Sequence, residues 1–344
     1  MAEPINVALV GYGYAGVTFH APQIEAARGL RLHTVVSGRP EAVHADRPDV
    51  RVTPDLETAL ADPAIGLVVI ATPNTSHAPL ATQALEAGRA VVVDKPFTVT
   101  LDEARGLIDL AEAKDLTLSV FHNRRRDSDF LTLRQMIAED ALGPIRRFES
   151  HFDRHRPEVR DRWREGDGPG AGLWYDLGPH LIDQALVLFG RPEAVTADLA
   201  ILRPGGRAVD YAHVLLRYLD RRVVLHADMV SPAPDLRFLV QGARAAWIKH
   251  GLDAQEDRLK AGGRPGDPGF GLDPRPGERI EGDDRRTTVG PPGDYVGYYE
   301  AVAAAVRGEG ANPVPPREAL AVMEVLEAAI LSDRERREVA LSPA

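Results

Sequence analysis

Residues 5–16 read INVALVGYGYAG, and this stretch decides the fold of the first part of the chain. An apolar run leads into Gly11-x-Gly13-x-x-Gly16, and residues 17–27 continue as a helical mixture of apolar and polar side chains. A strand, a tight turn and a helix in this order are typical of a dinucleotide site. Gly11 permits the turn, Gly13 lets the backbone approach a pyrophosphate, and Gly16 lets helix and strand pack closely.

A lone GxGxxG pattern is also found in ordinary glycine turns. Here it lies between a clear strand and a helix, which favours a nucleotide site. The free N–H groups at the start of the helix then face the phosphates. The predicted phosphate-binding residues are Gly11, Tyr12, Gly13, Tyr14, Ala15 and Gly16.

Composition excludes several classes of protein. The chain has 344 residues, 44% of them hydrophobic, which is enough for about two domains. It has no cysteine, so disulfides and cysteine-ligated metals are excluded. A net charge of −10 argues against a nucleic-acid partner. Because the sequence shows neither a basic, apolar leader nor an apolar run of about 18 residues, we expect a cytoplasmic protein without a membrane partner.

Short apolar strands alternate with helices over residues 1–122. Strands are predicted at residues 32–37, 67–71, 90–93 and 116–121, with helices at 55–61, 79–87 and 101–114. This alternation is typical of parallel βαβ units. We therefore predict an α/β protein whose residues 1–122 form a Rossmann domain with a doubly wound parallel sheet.

The end of the second predicted strand indicates the cofactor. It reads Ser37-Gly38-Arg39 and lacks the acidic residue that binds the ribose 2′-hydroxyl of NAD. A hydroxyl and an arginine suit the 2′-phosphate of NADP, so we predict NADP, with NAD second. The alternative is that Arg39 is a solvated loop residue.

Polar residues also follow two buried strands, at 72–77 and at Asp94-Lys95. In a parallel sheet these strand ends lie on the same edge as the glycine turn. The ammonium group of Lys95 could stabilise an alkoxide while a hydride leaves. The alternative is that Lys95 is an ordinary surface lysine.

Alternating apolar and polar residues mark the second half. This pattern at residues 145–152, 209–219 and 222–230 predicts antiparallel strands with one covered face. We predict that residues 123–344 form an α+β domain that binds substrate and contains an open, mainly antiparallel sheet. An open face is commonly covered by a second subunit, so we expect a homodimer or homotetramer. Final helices at 294–307 and 316–334 are expected to pack on the sheet or on the first domain.

A predicted helix at residues 176–189 carries the second informative group. If Asp176 opens it, Pro179 lies in the first turn, and Asp176 and His180 share one face. A carboxylate beside an imidazole suits a general base. The alternative is that Asp176 only caps the helix and His180 is packed in the core. We expect no metal, because no recognised ligand motif is present; the alternative is that Asp176, His180 and Asp183 together hold one.

Four longer strings resemble a known family. These are GYGYAGVTFHAP, VVVDKPFTVTL, SVFHNRR and ESHFDRHRPEVRDRWRE. Over its whole length the chain resembles the glucose–fructose oxidoreductase and inositol dehydrogenase (Gfo/Idh/MocA) family, in the branch of NADP-dependent scyllo-inositol dehydrogenases.

The resemblance implies roles for individual residues. Lys95 corresponds to the catalytic lysine of a Glu-Lys-Pro motif in which Asp94 replaces the glutamate, and the Lys95–Pro96 bond is expected to be cis. His180 corresponds to the general base and Asp176 to its partner. Asn74 and His77 match positions at the nicotinamide ribose, and Trp163 and Arg164 match positions near the nicotinamide. Beyond the glycine turn, the predicted cofactor residues are Ser37, Arg39, Thr72, Pro73, Asn74, His77, Asp94, Lys95, Trp163 and Arg164.

A polyhydroxylated substrate needs several polar partners. The candidates are Asn123, Arg124, Asp153, Arg154, Tyr175 and Tyr298. We thus expect an NADP-dependent dehydrogenase acting on a secondary alcohol of a cyclic polyol or sugar. The alternatives are a reductase of another keto-sugar or imine, and a non-catalytic NADP-binding regulatory protein, which would have less need for the lysine and the Asp/His pair.

Overall fold

The described residues, 3–233 and 235–342 of a computed structural model, fall into two units. The first unit comprises the chain up to Arg126 together with Gln255–Gly271 and Asp294–Leu320. The second comprises Asp127–Ala254, Leu272–Gly293 and the chain from Ala321. The division is thus more complex than a cut after residue 122, because two later segments belong to the first unit.

The first unit contains a six-stranded parallel sheet with the order β3-β2-β1-β4-β5-β6. Its strands are β1 (Ile5–Val10), β2 (Leu30–Val36), β3 (Arg51–Thr53), β4 (Ile65–Ile70), β5 (Ala90–Val93) and β6 (Leu118–Val120). The strand order reverses between β1 and β4, which is the switch point where doubly wound sheets bind dinucleotides. This arrangement confirms the predicted Rossmann fold.

Helices lie between these strands. They are α1 (Ala21–Ala26), α2 (Pro40–Asp46), α3 (Leu56–Leu60), α4 (His77–Glu86) and α5 (Leu101–Ala113). α5 begins with a capping box, in which the Thr100 hydroxyl accepts from the Glu103 N–H and the Glu103 carboxylate accepts from the Thr100 N–H. β5 is buried along its whole length, as expected for a central parallel strand.

The second unit contains a nine-stranded sheet with the order β14-β13-β12-β11-β7-β10-β9-β8-β15. Its strands are β7 (Ile145–His151), β8 (Ala194–Ala200), β9 (Tyr211–Arg217), β10 (Arg222–Asp228), β11 (Leu236–Gly242), β12 (Ala246–His250), β13 (Gly277–Glu281), β14 (Asp284–Thr288) and β15 (Val339–Ala340). β7 and β10 pair in parallel, and the other pairs are antiparallel. The prediction of a mainly antiparallel sheet is confirmed.

One face of this sheet is covered by helix. The second unit includes α6 (Ser128–Ala138) and α7 (Leu173–Phe189), and α7 contacts β9 and β10. Leu181 of α7 and Leu225 of β10 are fully buried in one core, and burying such a side chain stabilises the fold by about 1.5–3 kcal/mol. Alternate residues such as His226 are part-exposed on the other face, which we call the open face.

Three further helices complete the chain. They are α8 (Gln255–Lys260), α9 (Tyr295–Val306) and α10 (Pro316–Glu335). α8 and α9 belong to the first unit, where Tyr299 of α9 packs against Phe121 after β6. Among the described residues no helix has the length and apolar character needed to cross a membrane.

Candidate functional site

The glycine turn has the geometry that a phosphate needs. Gly11 has a φ of 99°, in the left-handed region that favours glycine. A Cβ on Gly16 would lie 2.2 Å from the Gly11 carbonyl oxygen, so the close approach requires glycine. A Cβ on Gly13 would meet no described heavy atom within 4 Å, so the space beside it is open. A five-residue π-helix, Gly16–His20, then leads into α1.

Arg39 is held against this turn. Its guanidinium Nη2 donates to the Tyr12 carbonyl at 3.0 Å, and its backbone N–H donates to the Ser37 hydroxyl at 3.1 Å. Arg47 also contacts Tyr12, because its guanidinium donates to the phenol oxygen, and it pairs with Glu25. A hydroxyl and a fixed guanidinium therefore stand together at the end of β2. Arg39 is nevertheless exposed, so the alternative that it is a solvated loop residue stays open.

His77 links the ends of two strands. Its side chain is buried, with Nδ1 2.8 Å from the Pro96 carbonyl oxygen and Nε2 3.0 Å from the Thr72 carbonyl oxygen. Burial lowers the pKa of His77. Both ring nitrogens are occupied by backbone, so the prediction that His77 contacts the cofactor is not supported. Within the same loop Asn74 is buried, and the Thr72 hydroxyl accepts from Ser76.

Asp94 supports the backbone at Lys95. The Lys95–Pro96 bond is cis, as expected. The Asp94 carboxylate accepts from the Lys95 N–H at 2.8 Å and lies 3.7 Å from His20 Nε2. Burial acts to raise the pKa of Asp94, but His20 and the charge of Lys95 outweigh it and bring the pKa to about 2. Asp94 was predicted to bind cofactor, yet its contacts make it a carboxylate that shapes the Lys95 turn.

His20 is a site residue that the sequence reasoning missed. It is fully buried, and its Nδ1 lies 2.5 Å from the Tyr299 hydroxyl oxygen. Together with the Asp94 contact this forms a chain of polar groups from α9 to the backbone of Lys95. The position of His20, one turn after Gly16, was the available signal.

The helix that carries Asp176 and His180 begins earlier than predicted. α7 starts at Leu173, after Gly172 with a φ of 93°. Leu173 and Trp174 are buried, so their packing extends the helix beyond the apparent Asp cap. Pro179 therefore lies inside α7 rather than in its first turn, and it has no N–H for a helical hydrogen bond. Asp176 and His180 still lie on one helical face.

Two guanidinium groups converge on Asp176. Arg154 Nη1 is 3.4 Å from one carboxylate oxygen, and Arg164 Nε is 3.7 Å from the other. Arg154 stacks over Phe152 at 4.9 Å and Arg164 over Trp163 at 4.5 Å. The predicted residues Trp163, Arg164, Arg154 and Asp176 thus form one cluster in the second unit.

The structure places His180 and Tyr175 on the same helix as Asp176. His180 is 6% exposed, and its ring stacks on Phe152 with centroids 6.3 Å apart. Tyr175 is half-buried and precedes Asp176 directly. The carboxylate, the imidazole and two arginines are therefore presented by α7 and the segment after β7.

Two other predicted substrate residues, Tyr298 and Asp153, contact polar groups within their own units. Tyr298 is 1% exposed, and its hydroxyl lies 2.9 Å from the Ser119 hydroxyl oxygen, so it is packed in the core of the first unit. Asp153 lies on the open face among histidines, away from the face that α7 covers. Each of these two residues thus already has polar contacts within its own unit, and substrate binding by either stays a prediction.

Arg124 and Tyr14 both contact Glu256, a residue that was not among the predicted site residues. Arg124 is buried and donates to Glu256 of α8 at 2.7 Å, and the Tyr14 hydroxyl donates to the same carboxylate at 2.8 Å. Burial acts to raise the pKa of Glu256, but the charges of Arg124 and Lys260 bring it to about 2. Glu256 thus fixes α8 beside the glycine turn. Arg124 is part of this support within the first unit, and its neighbour Asn123 is also buried.

Comparison with protein families matches both parts of the chain. Residues 5–122 match the model described as "Oxidoreductase family, NAD-binding Rossmann fold", and residues 134–341 match "Oxidoreductase family, C-terminal alpha/beta domain".

Several relatives match over nearly the whole length. YdgJ of Escherichia coli, an uncharacterized oxidoreductase, is 51% identical over 99% of this chain and 100% of its own. The scyllo-inositol 2-dehydrogenase (NADP(+)) IolW of Bacillus subtilis is 39% identical over 98% of this chain and 96% of its own. A solved structure of an oxidoreductase from Yersinia pestis has a TM-score of 0.96 and 49% identity, covering 100% of this chain and 99% of that one.

Proposed function

Because the chain belongs to the Gfo/Idh/MocA oxidoreductase family, we propose that it is an NADP-dependent dehydrogenase of a cyclic polyol or sugar. The reaction moves a hydride between a secondary alcohol, or the corresponding ketone, and NADP. The observation that carries this proposal is the fixed position of Lys95. Its backbone is held by Asp94 at the end of β5, on the same sheet edge as the glycine turn.

The residues at the end of β2 fit NADP. Arg39 and Ser37 supply a guanidinium and a hydroxyl beside the Tyr12 backbone, and no acidic residue takes the place of an NAD ribose partner. The space beside Gly13 suits the pyrophosphate. The name of IolW, which specifies NADP(+), supports the same choice. When bound, the nicotinamide supplies the hydride acceptor.

The protein's own residues handle the proton and the developing charge. His180 takes the hydroxyl proton as general base, and Asp176 orients its imidazole. Arg154 and Arg164 balance the negative charge of Asp176. The Lys95 ammonium polarises the substrate oxygen and stabilises the alkoxide. Trp163, Arg154 and Tyr175 surround the Asp176 end of α7 and are the proposed contacts to the substrate or the nicotinamide.

A panel of inositol isomers and aldoses, each assayed with NADP and NAD, tests the function. We expect scyllo-inositol or a close analogue to be oxidised best, with NADP preferred. NADPH oxidation with keto-inositols, keto-sugars and cyclic imines distinguishes an enzyme that runs only toward the reduced product. Thermal stabilisation by NADP without turnover of any of these substrates would contradict the proposal and indicate a regulatory protein.

A further inference from the structure

The open face of the second unit carries a group of imidazoles and carboxylates that the proposed reaction does not use. Asp153 follows β7, and His226 and Asp228 lie at the end of β10. We propose that these three side chains bind a divalent transition-metal ion, and that Zn²⁺ fits them best. Metal binding at this site does not require the proposed dehydrogenase activity.

The three ligand atoms are close enough to share one ion. His226 Nε2 lies 3.7 Å from Asp153 Oδ1 and 3.4 Å from Asp228 Oδ2, and all three atoms lie within 4.8 Å of one another. Tetrahedral Zn²⁺ with ligands at its usual bond lengths separates neighbouring ligand atoms by about 3.4 Å. The two distances to His226 already match this spacing, so small side-chain rotations complete the site.

Asp153 has an oxygen that the protein leaves without a hydrogen bond. Its Oδ1 is buried and accepts no hydrogen bond from any described residue. The same oxygen is the one that faces His226. A buried carboxylate oxygen without a donor is unfavourable, and a bound cation would satisfy it.

The other two proposed ligands, Asp228 and His226, are positioned by contacts with residues outside the ligand set. Asp228 Oδ1 accepts from the N–H groups of Val230 and Ser231, and its Oδ2 accepts from the Ser231 hydroxyl. His226 Nδ1 lies 3.3 Å from His213 Nδ1, so a proton on Nδ1 leaves the Nε2 lone pair directed at the two aspartates. Such supporting contacts fix the orientation and tautomer of metal ligands.

The surroundings favour a small transition metal over Mg²⁺ or Ca²⁺. The ligand side chains are 6–14% exposed, so an ion would be sheltered but reachable from solvent. Imidazole suits zinc and its neighbours, whereas Mg²⁺ and Ca²⁺ prefer ligand sets made of oxygen alone. His151 Nδ1 lies 3.4 Å from Asp153 Oδ2 and is placed to serve as a fourth ligand after a rotation.

This site and the Asp176 cluster use opposite faces of the same segment, residues 151–154. Along the chain Phe152 and Arg154 point toward α7, and His151 and Asp153 point to the open face. The ion would tie this segment to the end of β10. We therefore expect Zn²⁺ to stabilise the segment that presents Arg154 to Asp176.

Metal content and affinity test the proposal on the full-length protein after removal of any histidine tag and treatment with EDTA. Dialysis against micromolar Zn²⁺ followed by elemental analysis should give about one zinc per chain. Calorimetric titration should give a Zn²⁺ affinity that is at least about tenfold weaker in Asp153→Asn and in His226→Gln. His250→Gln is the matched control, because His250 and Asp235 form another His/Asp pair, 3.3 Å apart, in the same unit.

A second measurement tests zinc binding without the variants. Circular dichroism checks that each variant folds, and the melting temperature of the unaltered protein gives a second measurement. It should rise with Zn²⁺ and stay constant with Mg²⁺ at the same concentration. Failure of the unaltered protein to retain zinc, or equal zinc affinity in the unaltered protein and in both ligand variants, would overturn the proposal.

Discussion

Replacing Asp94 by asparagine should destabilise the protein through one buried carboxylate. The pKa of Asp94 falls from 3.8 to about 2 in the folded protein, through His20 and the charge of Lys95 acting against burial. Each unit of pKa shift corresponds to about 1.4 kcal/mol, so the charged form contributes about 2 kcal/mol of stability near neutral pH. A lowered carboxylate pKa stabilises the folded state above pH 3.8, and this contribution is lost as the pH falls toward 2.

Thermal unfolding of the Asp94→Asn variant at pH 7 and at lower pH measures this contribution. We expect a melting temperature about 3 °C lower at pH 7, and a difference from the unaltered protein that shrinks as the pH falls through 4 toward 2. Asp102→Asn is the control, because Asp102 is 96% exposed in the same unit and should change little. Equal stability of Asp94→Asn and the unaltered protein at pH 7, or a difference that does not depend on pH, would refute this reasoning.

Three more substitutions test separate parts of the account. Arg39→Ala should raise the KM for NADP about 10–100-fold with little effect on NAD, since only NADP has the 2′-phosphate, and an equal effect on both cofactors would be a contrary result. Tyr298→Phe should lower the free energy of unfolding by about 1 kcal/mol through loss of the Ser119 contact and leave KM for the substrate unchanged, which steady-state kinetics would check. Val224→Glu, on the open face, should lower the molar mass measured by light scattering if that face joins subunits, whereas an unchanged oligomer would place the interface elsewhere.

Local patterns in the sequence predicted most of the parallel sheet of the first unit, although β3 and α2 were not predicted. The glycine spacing and the uninterrupted apolar runs of β4 and β5 each act over a few residues, and the structure shows each of them. The family resemblance is confirmed as well, because both family models match the chain. The return of 255–271 and 294–320 to the first unit depends on contacts between distant residues, which periodicity does not report.

Several residues of the predicted site have surroundings that the sequence did not predict, and these have a common physical cause. His77 and Tyr298 carry the right chemical groups, but their polar atoms contact the backbone and Ser119 inside the fold. Asp176 looks like a helix cap, yet burial of the two residues at 173–174 starts the helix earlier. Sequence spacing shows which groups exist, and only the packing shows which of them are already in use.

The proposed metal site illustrates the same limit. Asp153 and His226 are 73 residues apart, and the pairing of β7 with β10 brings the strand ends together. A metal site whose ligands lie this far apart in sequence has no short ligand-spacing motif by which it could be predicted. A similar limit applied to His20, whose importance depends on its contacts with Asp94 and Tyr299.

The central claim is that Lys95 and His180 act on the same substrate hydroxyl, and a double-substitution cycle in kcat tests it most directly. Lys95→Ala and His180→Ala should each lower kcat at least about 100-fold while NADP still binds, as measured by fluorescence titration. Because the two groups would act together, the kcat of the double variant should be only slightly lower than the kcat of the less active single variant. Normal turnover by either single variant, or losses that multiply fully in the double variant, would contradict the claim.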